Sequence, residues 1–400
     1  MKKKIMVLGA GRGQVDLIKA IKSYGYYSIV ASIEGNYPGF NYADECCYVD
    51  ISNPEAVYEK AKELKIDAIT TACIDTGISA LGYVCEELGL SGLSKKAAKL
   101  SGDKLLMKDA FMRNGVNSAR YKKISSAEEL DSILEELNLP LIIKAVDLQG
   151  SRGINIVHTK EEIVPCFNET MKETRKDFCI IEEYIEGYEF GAQAFVYNNK
   201  VLYVLPCGDI TYLSKTKIPV GHYAPLEVDK SIVNSIYCEA TKAINATGLN
   251  NCAVNIDMIL KDNKVYIIEL TGRVGANCLP QISSIYYGID VYKLIVETAL
   301  GNDPTNYYES EKKSPTPCYA KMLYSEKDGV LSEIINNNQK DERIYEISYF
   351  VKPGDLIRRF TNSRDCIGEI IVKGNSINEC ESLIESIKNN ISFVLKEKNE

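Results

Sequence analysis

The sequence predicts an α/β protein whose first sheet is parallel and covered by helices. Three observations carry this. Buried-type apolar runs alternate with helix-period segments near the start, in the order β-α-β-α-β. A turn, Gly9-Ala10-Gly11-Arg12-Gly13, connects the first strand to the first helix. The 400 residues, 45% apolar and 26% charged, leave room for two or three domains and a substantial core.

In chain order, residues 5–8 read as a buried strand and about 14–23 as a helix, with Gly25 near its end. Residues 27–32 form a second strand, 54–64 a helix and 68–72 a third strand. A helix over 104–114 stops at Gly115, since glycine accepts the left-handed conformation that ends helices. Strands at 139–145 and 154–158 flank a polar loop, a helix starts near Glu161, and strands follow at 178–183 and 188–197. A long helix, 230–247, precedes two β-rich runs, and 291–300 is a further helix. Residues 306–317 read as a linker. The remainder, 318–400, reads as a small α+β unit whose last helix places Leu383, Ile384, Ile387, Ile391 and Val394 on one face.

Composition excludes several classes. A net charge of −8 without a broad basic stretch argues against nucleic acid as a partner. No apolar run is long enough for a membrane span, and residues 5–10 are too short for a signal segment. Thirteen scattered cysteines without a C-x-x-C read as free thiols in a reducing cytoplasm. The two histidines, His158 and His222, are too few and too far apart for a zinc site and weaken any histidine-based triad.

The most informative pair is Asp257 and Glu269, in NIDMIL and VYIIEL on either side of Lys261-Asp262-Asn263-Lys264. If Lys261 pairs with Val265, Ile259 opposes Ile267 and Asp257 opposes Glu269 in a hairpin. Two carboxylates about 5 Å apart at Cβ repel each other, and a hard divalent cation relieves that. A surface charge ladder is the plainer alternative.

Other segments could supply phosphate contacts. A strand ends at Lys144, and the following loop, Asp147 to Gly153, holds Gly150, Ser151, Arg152 and Gly153. Its backbone N–H groups and the Arg152 cation suit a polyphosphate, although no Walker A motif is present. An ordinary hairpin loop is the alternative. The acidic run Glu182-Glu183-Tyr184-Ile185-Glu186-Gly187-Tyr188-Glu189 could meet an adenine edge and ribose hydroxyls, or be a solvated linker. Arg273, just beyond the hairpin, could neutralise charge on a transferred phosphoryl group. The first glycine cluster, with Glu34 ending the second strand, invites a dinucleotide reading, but Gln14 stands where that fingerprint requires glycine or alanine.

Together these segments resemble the ATP-grasp superfamily, in its biotin carboxylase and carbamoyl-phosphate synthetase-like branch, over nearly the whole chain. Gly102-Asp103-Lys104 looks like the first nucleotide lysine. PLIIKAVDLQGSRGI looks like the second lysine, Lys144, and its phosphate-covering loop. IIEEYIEGYEFG looks like the adenine hinge. The resemblance implies an ATP-grasp fold with residues 1–100 as a Rossmann-like domain, 101–305 as the grasp with a lid at about 120–205, and 306–400 as a carboxylase-like C-terminal domain. It implies Glu182 on the adenine amino group, Glu183 and Ile185 on adenine through the backbone, and Glu189 on ribose. Asp257 and Glu269 match the metal carboxylates, and Arg273 matches the catalytic arginine. Thr271 replaces the usual asparagine ligand.

The implied cofactors are ATP and Mg²⁺, with Mn²⁺ as a substitute. The implied activity resembles that of amino-acid ligases: a small carboxylate becomes an acyl phosphate and passes to an amine, a C–N bond-forming reaction. Lys215, Lys217, His222, Gly275 and Asn277 are acceptor-side candidates, the first three read as part of a polar loop over 211–225. The alternatives are a bicarbonate- or formate-activating enzyme, a non-catalytic nucleotide-binding scaffold and a dehydrogenase. A homodimer is the default assembly.

Overall fold

Four short strands, Glu45–Tyr48, Tyr27–Ser32, Lys4–Leu8 and Ala68–Thr70, lie side by side in that order and all run parallel. Successive residues Ile5, Met6, Val7 and Leu8 are all fully buried, so both faces of the central strand are covered, as a parallel sheet requires. The computed structural model describes residues 2–130, 132–148, 153–213 and 217–396. Its chain divides into two compact units. The first comprises the chain up to Val204, Val228–Arg273 and Thr298–Asn302; the second comprises Leu205–Glu227, Val274–Glu297 and the chain from Asp303 onward.

Two further layers complete the first unit. An antiparallel sheet, Tyr121–Ile124, Cys179–Glu183, Leu141–Lys144 and Ile154–Val157, packs Leu141, Ile143 and Ile181 against Ile163 and Phe167 of the helix Lys160–Glu173. The hairpin of Cys252–Lys261 and Lys264–Thr271 has Tyr188–Tyr197 antiparallel along its free side. The helix Lys230–Thr247 packs on the hairpin.

In the second unit, Lys200–Leu213 from Leu205 onward, Lys217–Ala224, Cys318–Leu323, Gly368–Lys373 and Ile344–Tyr349 form one antiparallel order. A three-stranded sheet, Leu356–Ile357, Gly329–Asn336 and Ile391–Lys396, lies beside it in the chain, and the helix Ile377–Asn389 buries Cys380, Ile384 and Ile387. Among the described residues every cysteine is free, and no helix is long and apolar enough to cross a membrane.

Several expectations need correction. The region 306–317 is not all linker: Thr305–Glu311 is helical, with the Thr305 N–H donating to Asp303 Oδ1 at 2.8 Å and Tyr308 buried as its anchor. The last helix ends at Asn389, and Ile391 and Val394 belong to a strand instead. Ile391, Phe393 and Leu395 turn inward while Ser392, Val394 and Lys396 face out, a period of two that no helix shares. The segment read as a polar loop over 211–225 is largely the strand Lys217–Ala224. The strand Glu45–Tyr48 and the helices Ile78–Leu88 and Lys95–Gly102 were not anticipated.

The hairpin register also differs. Asp262 and Asn263 both have positive φ, 49° and 59°, and close a two-residue turn with Lys261 opposite Lys264. That tighter turn shifts every following pair by one, so Met258 opposes Ile267. A β-bulge then absorbs Ile268, and Asp257 opposes Glu269 after all.

Candidate active site

The hairpin supplies the floor. Because side chains alternate along a strand, Asn255 and Asp257 share a face with Glu269 and Thr271 opposite them. Asn255 Nδ2 donates to Asp257 Oδ1 at 3.1 Å, and Gln193 Nε2 donates to Asn255 Oδ1 at 2.6 Å, which fixes the first carboxylate from behind. Thr271 Oγ1 is buried and has no hydrogen-bond partner among the described residues. Two carboxylates and an unpartnered hydroxyl oxygen make an all-oxygen donor set, which fits Mg²⁺ better than a softer metal. Among the described residues no group of three or more His, Cys, Asp and Glu is placed to hold a metal. These side chains could therefore supply only part of a coordination shell.

Three lysines face this floor across a cavity of ≈ 230 Å³ lined by Lys104, Lys108, Lys144, Glu182, Asp257 and Glu269. Lys104 opens the helix Lys104–Arg113, where Asp103 caps the N–H groups of Leu105 and Leu106. Its Nζ lies 3.2 Å from Glu269 Oε2 and donates to the Leu148 carbonyl at 3.2 Å. Burial pulls the Lys104 pKa down, but the charge and hydrogen bond of Glu269, together with the charges of Glu182 and Asp75, outweigh it and leave the ammonium above its ordinary value. One helical turn later, Lys108 Nζ lies 3.0 Å from Glu182 Oε2 and donates to Ser118 Oγ at 2.7 Å. Lys144 reaches the same Glu182 oxygen at 3.1 Å. Glu182 is 3% exposed; burial pushes its carboxyl up, yet the two ammonium charges hold it below its ordinary value. Lys108 is pushed down, first by burial and then by Lys144, against the pull of Glu182. Two cations on one buried anion leave a net positive charge suited to a polyphosphate.

Arg273 follows the hairpin directly, and its Nε donates to Asp75 Oδ1 at 2.6 Å. The Arg273 side chain is only 12% exposed, and that buried ion pair orients it.

The remaining predicted residues divide. Glu189 and Ile185 line the same cavity. Glu183 also lines it, but its carboxylate turns to Asn138 and Arg120, and its N–H donates to the Arg120 carbonyl, leaving its carbonyl as the backbone group for a base. Gly153 has φ +62°, and its carbonyl accepts from Ala145 N–H at 2.8 Å, clipping together the ends of the loop. Gly150, Ser151, Arg152 and Lys215 lie outside the described residues, as does the Lys217 side chain. In the second unit, His222 is buried and paired through Nδ1 with Asp209 Oδ1 at 2.7 Å, so it is a core dyad on neighbouring strands rather than a loop residue. Gly275 and Asn277 also belong to that unit, Asn277 with φ 56° just before the helix Leu279–Tyr287.

Sequence reasoning missed Lys108 and Asp75. Lys108 carried a signal, four residues after Lys104 on one helix face; Asp75 lies 198 residues from its partner and carried none. The first glycine cluster is not a nucleotide cradle. The Gln14 side chain fills it, since a Cβ at Gly9 would lie 3.0 Å from Gln14 Cδ, and the Ala10 backbone presses on Gly39.

The ATP-grasp (A) domain model of phosphoribosylglycinamide synthetase matches residues 102–277, and the L-amino acid ligase C-terminal domain 2 model matches 321–396. The crystal structure of phosphoribosylglycinamide synthetase from Anaerococcus prevotii is 49% identical, covers 99% of this chain and 100% of that one, and superposes with a TM-score of 0.90. The chain belongs to the ATP-grasp superfamily. It is an ATP-dependent ligase that forms C–N bonds, with ATP and Mg²⁺ as cofactors. Alanine–anticapsin ligase of Bacillus subtilis is 27% identical over 348 residues, covering 79% of this chain and 72% of that protein. The biotin carboxylase domain of Hydrogenobacter thermophilus 2-oxoglutarate carboxylase, solved with MgADP, ADP and bicarbonate, shares the fold at a TM-score of 0.81 and 20% identity, over 99% and 92% of the two chains.

Proposed function

We propose that this ligase activates the carboxylate of an amino acid or a similar small metabolite as an acyl phosphate and passes the acyl group to an amine. The observation that carries this reading is the set of charges lining one cavity: Asp257 and Glu269 from the hairpin, with Thr271 two residues beyond Glu269 on the same strand face, and the ammonium groups of Lys104, Lys108 and Lys144. Such an arrangement suits a metal–polyphosphate chelate, with carboxylates for the cation and ammonium groups for the phosphates. The C-terminal match to amino-acid ligases, and a relative named for ligating alanine and anticapsin, favour an amino acid as donor. The 49% identical relative is named phosphoribosylglycinamide synthetase, which favours an amide bond as the product.

In this reading Lys104 and Lys144 bind the phosphates, and Glu182 with the Glu183 carbonyl and Ile185 holds adenine. Glu189 takes the ribose, and Gly150, Ser151, Arg152 and Gly153 cover the phosphates. Asp257, Glu269 and Thr271 would hold Mg²⁺, which when bound neutralises phosphate charge. A carboxylate oxygen of the donor attacks the terminal phosphorus and ADP leaves; Arg273 balances charge on the moving phosphoryl group. The amine then attacks the acyl carbon, phosphate leaves, and the amine proton passes to solvent or phosphate. His222, Lys215, Lys217, Gly275 and Asn277 remain acceptor-side candidates. The division at about residues 100 and 305 is proposed as the functional one, and the substrates as cytoplasmic small molecules.

ADP release from Mg-ATP, measured separately with pooled amino acids, bicarbonate and formate, tests the donor class. Release that requires the amino acids supports the proposal. Release with bicarbonate or formate alone assigns the enzyme to carboxylase-like or formate-activating chemistry instead.

A further inference from the structure

The glycine-rich turn and the loop after the fourth parallel strand do not line the cavity of Lys104 and Lys144, yet they form one tightly fixed unit. Thr71 Oγ1 donates to the Leu8 carbonyl at 2.7 Å, and Gln14 Nε2 donates to the Ala72 carbonyl. Cys73 adopts φ +59°, a conformation that costs a non-glycine residue free energy and persists only where its surroundings impose it. Those surroundings include Gly13, where an added Cβ would lie 2.6 Å from Cys73 Cβ. Two residues on, the Asp75 carbonyl accepts from Ile78 N–H at 3.0 Å, starting the helix Ile78–Leu88. The loop is thus anchored before and after Asp75, and the one charged side chain it carries reaches Arg273 at 2.6 Å.

We propose that Asp75 is the positioning residue for Arg273 and that the glycine-rich turn is its buttress. The first domain then contributes to phosphoryl transfer without touching the nucleotide. By engaging Nε, Asp75 fixes the plane of the guanidinium before substrate arrives, so no reorientation is needed when charge develops on the phosphoryl group. This rests on the assignment of Arg273 under the proposed function.

Calorimetric titration with Mg-ADP and with Mg-AMP-PNP tests it without knowledge of the donor acid. The comparison uses the full-length wild type, Asp75→Asn, Asp75→Glu, Arg273→Gln, the Asp75→Asn/Arg273→Gln double variant and Gly13→Ala. Asp75→Asn should leave the ADP Kd within about twofold and weaken AMP-PNP about tenfold, with Asp75→Glu recovering part of the loss. The double variant should bind AMP-PNP no more weakly than Arg273→Gln alone, because both substitutions remove one interaction. Gly13→Ala, which displaces Cys73, should show a smaller loss of the same selectivity. A wild-type AMP-PNP to ADP ratio in Asp75→Asn, or additive losses in the double variant, overturns the positioning role. A wild-type ratio in Gly13→Ala overturns the buttress. If Arg273→Gln itself binds AMP-PNP like the wild type, the assignment of Arg273 fails first.

Discussion

Asp257 faces Glu269 because Ile268 is extruded as a bulge between them. The two-residue Asp262-Asn263 turn would otherwise set Asp257 opposite Ile268 and carry Glu269 to the other face. One extra residue thus brings two carboxylates together, where their repulsion would be relieved by a cation.

If that site holds the metal, Glu269→Ala should abolish ADP formation while the protein still folds. Lys104 also loses its ion-pair partner in this variant. Steady-state ADP release at saturating Mg-ATP is the measurement, and unchanged turnover removes Glu269 from the metal site.

Thr271→Val should separate metal affinity from stability. The substitution deletes a buried hydroxyl that has no partner among the described residues, so urea unfolding should show no loss and a gain of up to about 1 kcal/mol. The Mg²⁺ concentration for half-maximal activity should rise. If it stays constant, the Thr271 oxygen is not a ligand.

Lys108→Met should destabilise the protein by on the order of 3 kcal/mol, since it leaves Glu182 buried with only Lys144. ADP binding should weaken as well, because Glu182 is left with one of its two ammonium partners and the pair no longer carries a surplus cation for the phosphates. Denaturant unfolding and ADP titration read the two effects separately; a variant as stable as the wild type would mean that the pair with Glu182 contributes little.

The Glu182 carboxyl also predicts a pH dependence. Burial alone would raise its folded-state pKa, but Lys108 and Lys144 together outweigh that and hold it below the ordinary glutamate value. A carboxyl depressed on folding stabilises the protein fully above its unfolded pKa and loses that contribution as pH falls through the folded value. Melting temperature should therefore fall below about pH 4.5, and Glu182→Gln should flatten that limb. An identical acid limb in the variant would assign the loss to other carboxyls.

Much of the fold was legible because strong local signals agreed with the tertiary structure. The helix Lys230–Thr247 and the strands Tyr27–Ser32 and Tyr188–Tyr197 matched their predicted bounds. Asp257, Glu269, Lys104, Lys144, Glu182 and Glu189 were read from their motifs, and all line one cavity. Illegible features were set by contacts between distant segments. The bulge at Ile268 reconciles a tight turn with two neighbouring strands, and no residue type announces it. Ile391 to Lys396 looked helical beside a real helix, until pairing with Gly329–Asn336 imposed the period of two. Asp75 looks like any loop acid, and only the folded chain brings it to Arg273.

The most direct test of the account is hydroxylamine trapping with Mg-ATP across pooled amino acids and other small carboxylates, read by hydroxamate colour and mass. Hydroxylamine intercepts an acyl phosphate without the natural amine. A hydroxamate of an amino acid or similar small acid, absent without ATP and absent in Glu269→Ala, is the predicted result. ADP release without any hydroxamate, sustained by bicarbonate alone, would contradict it.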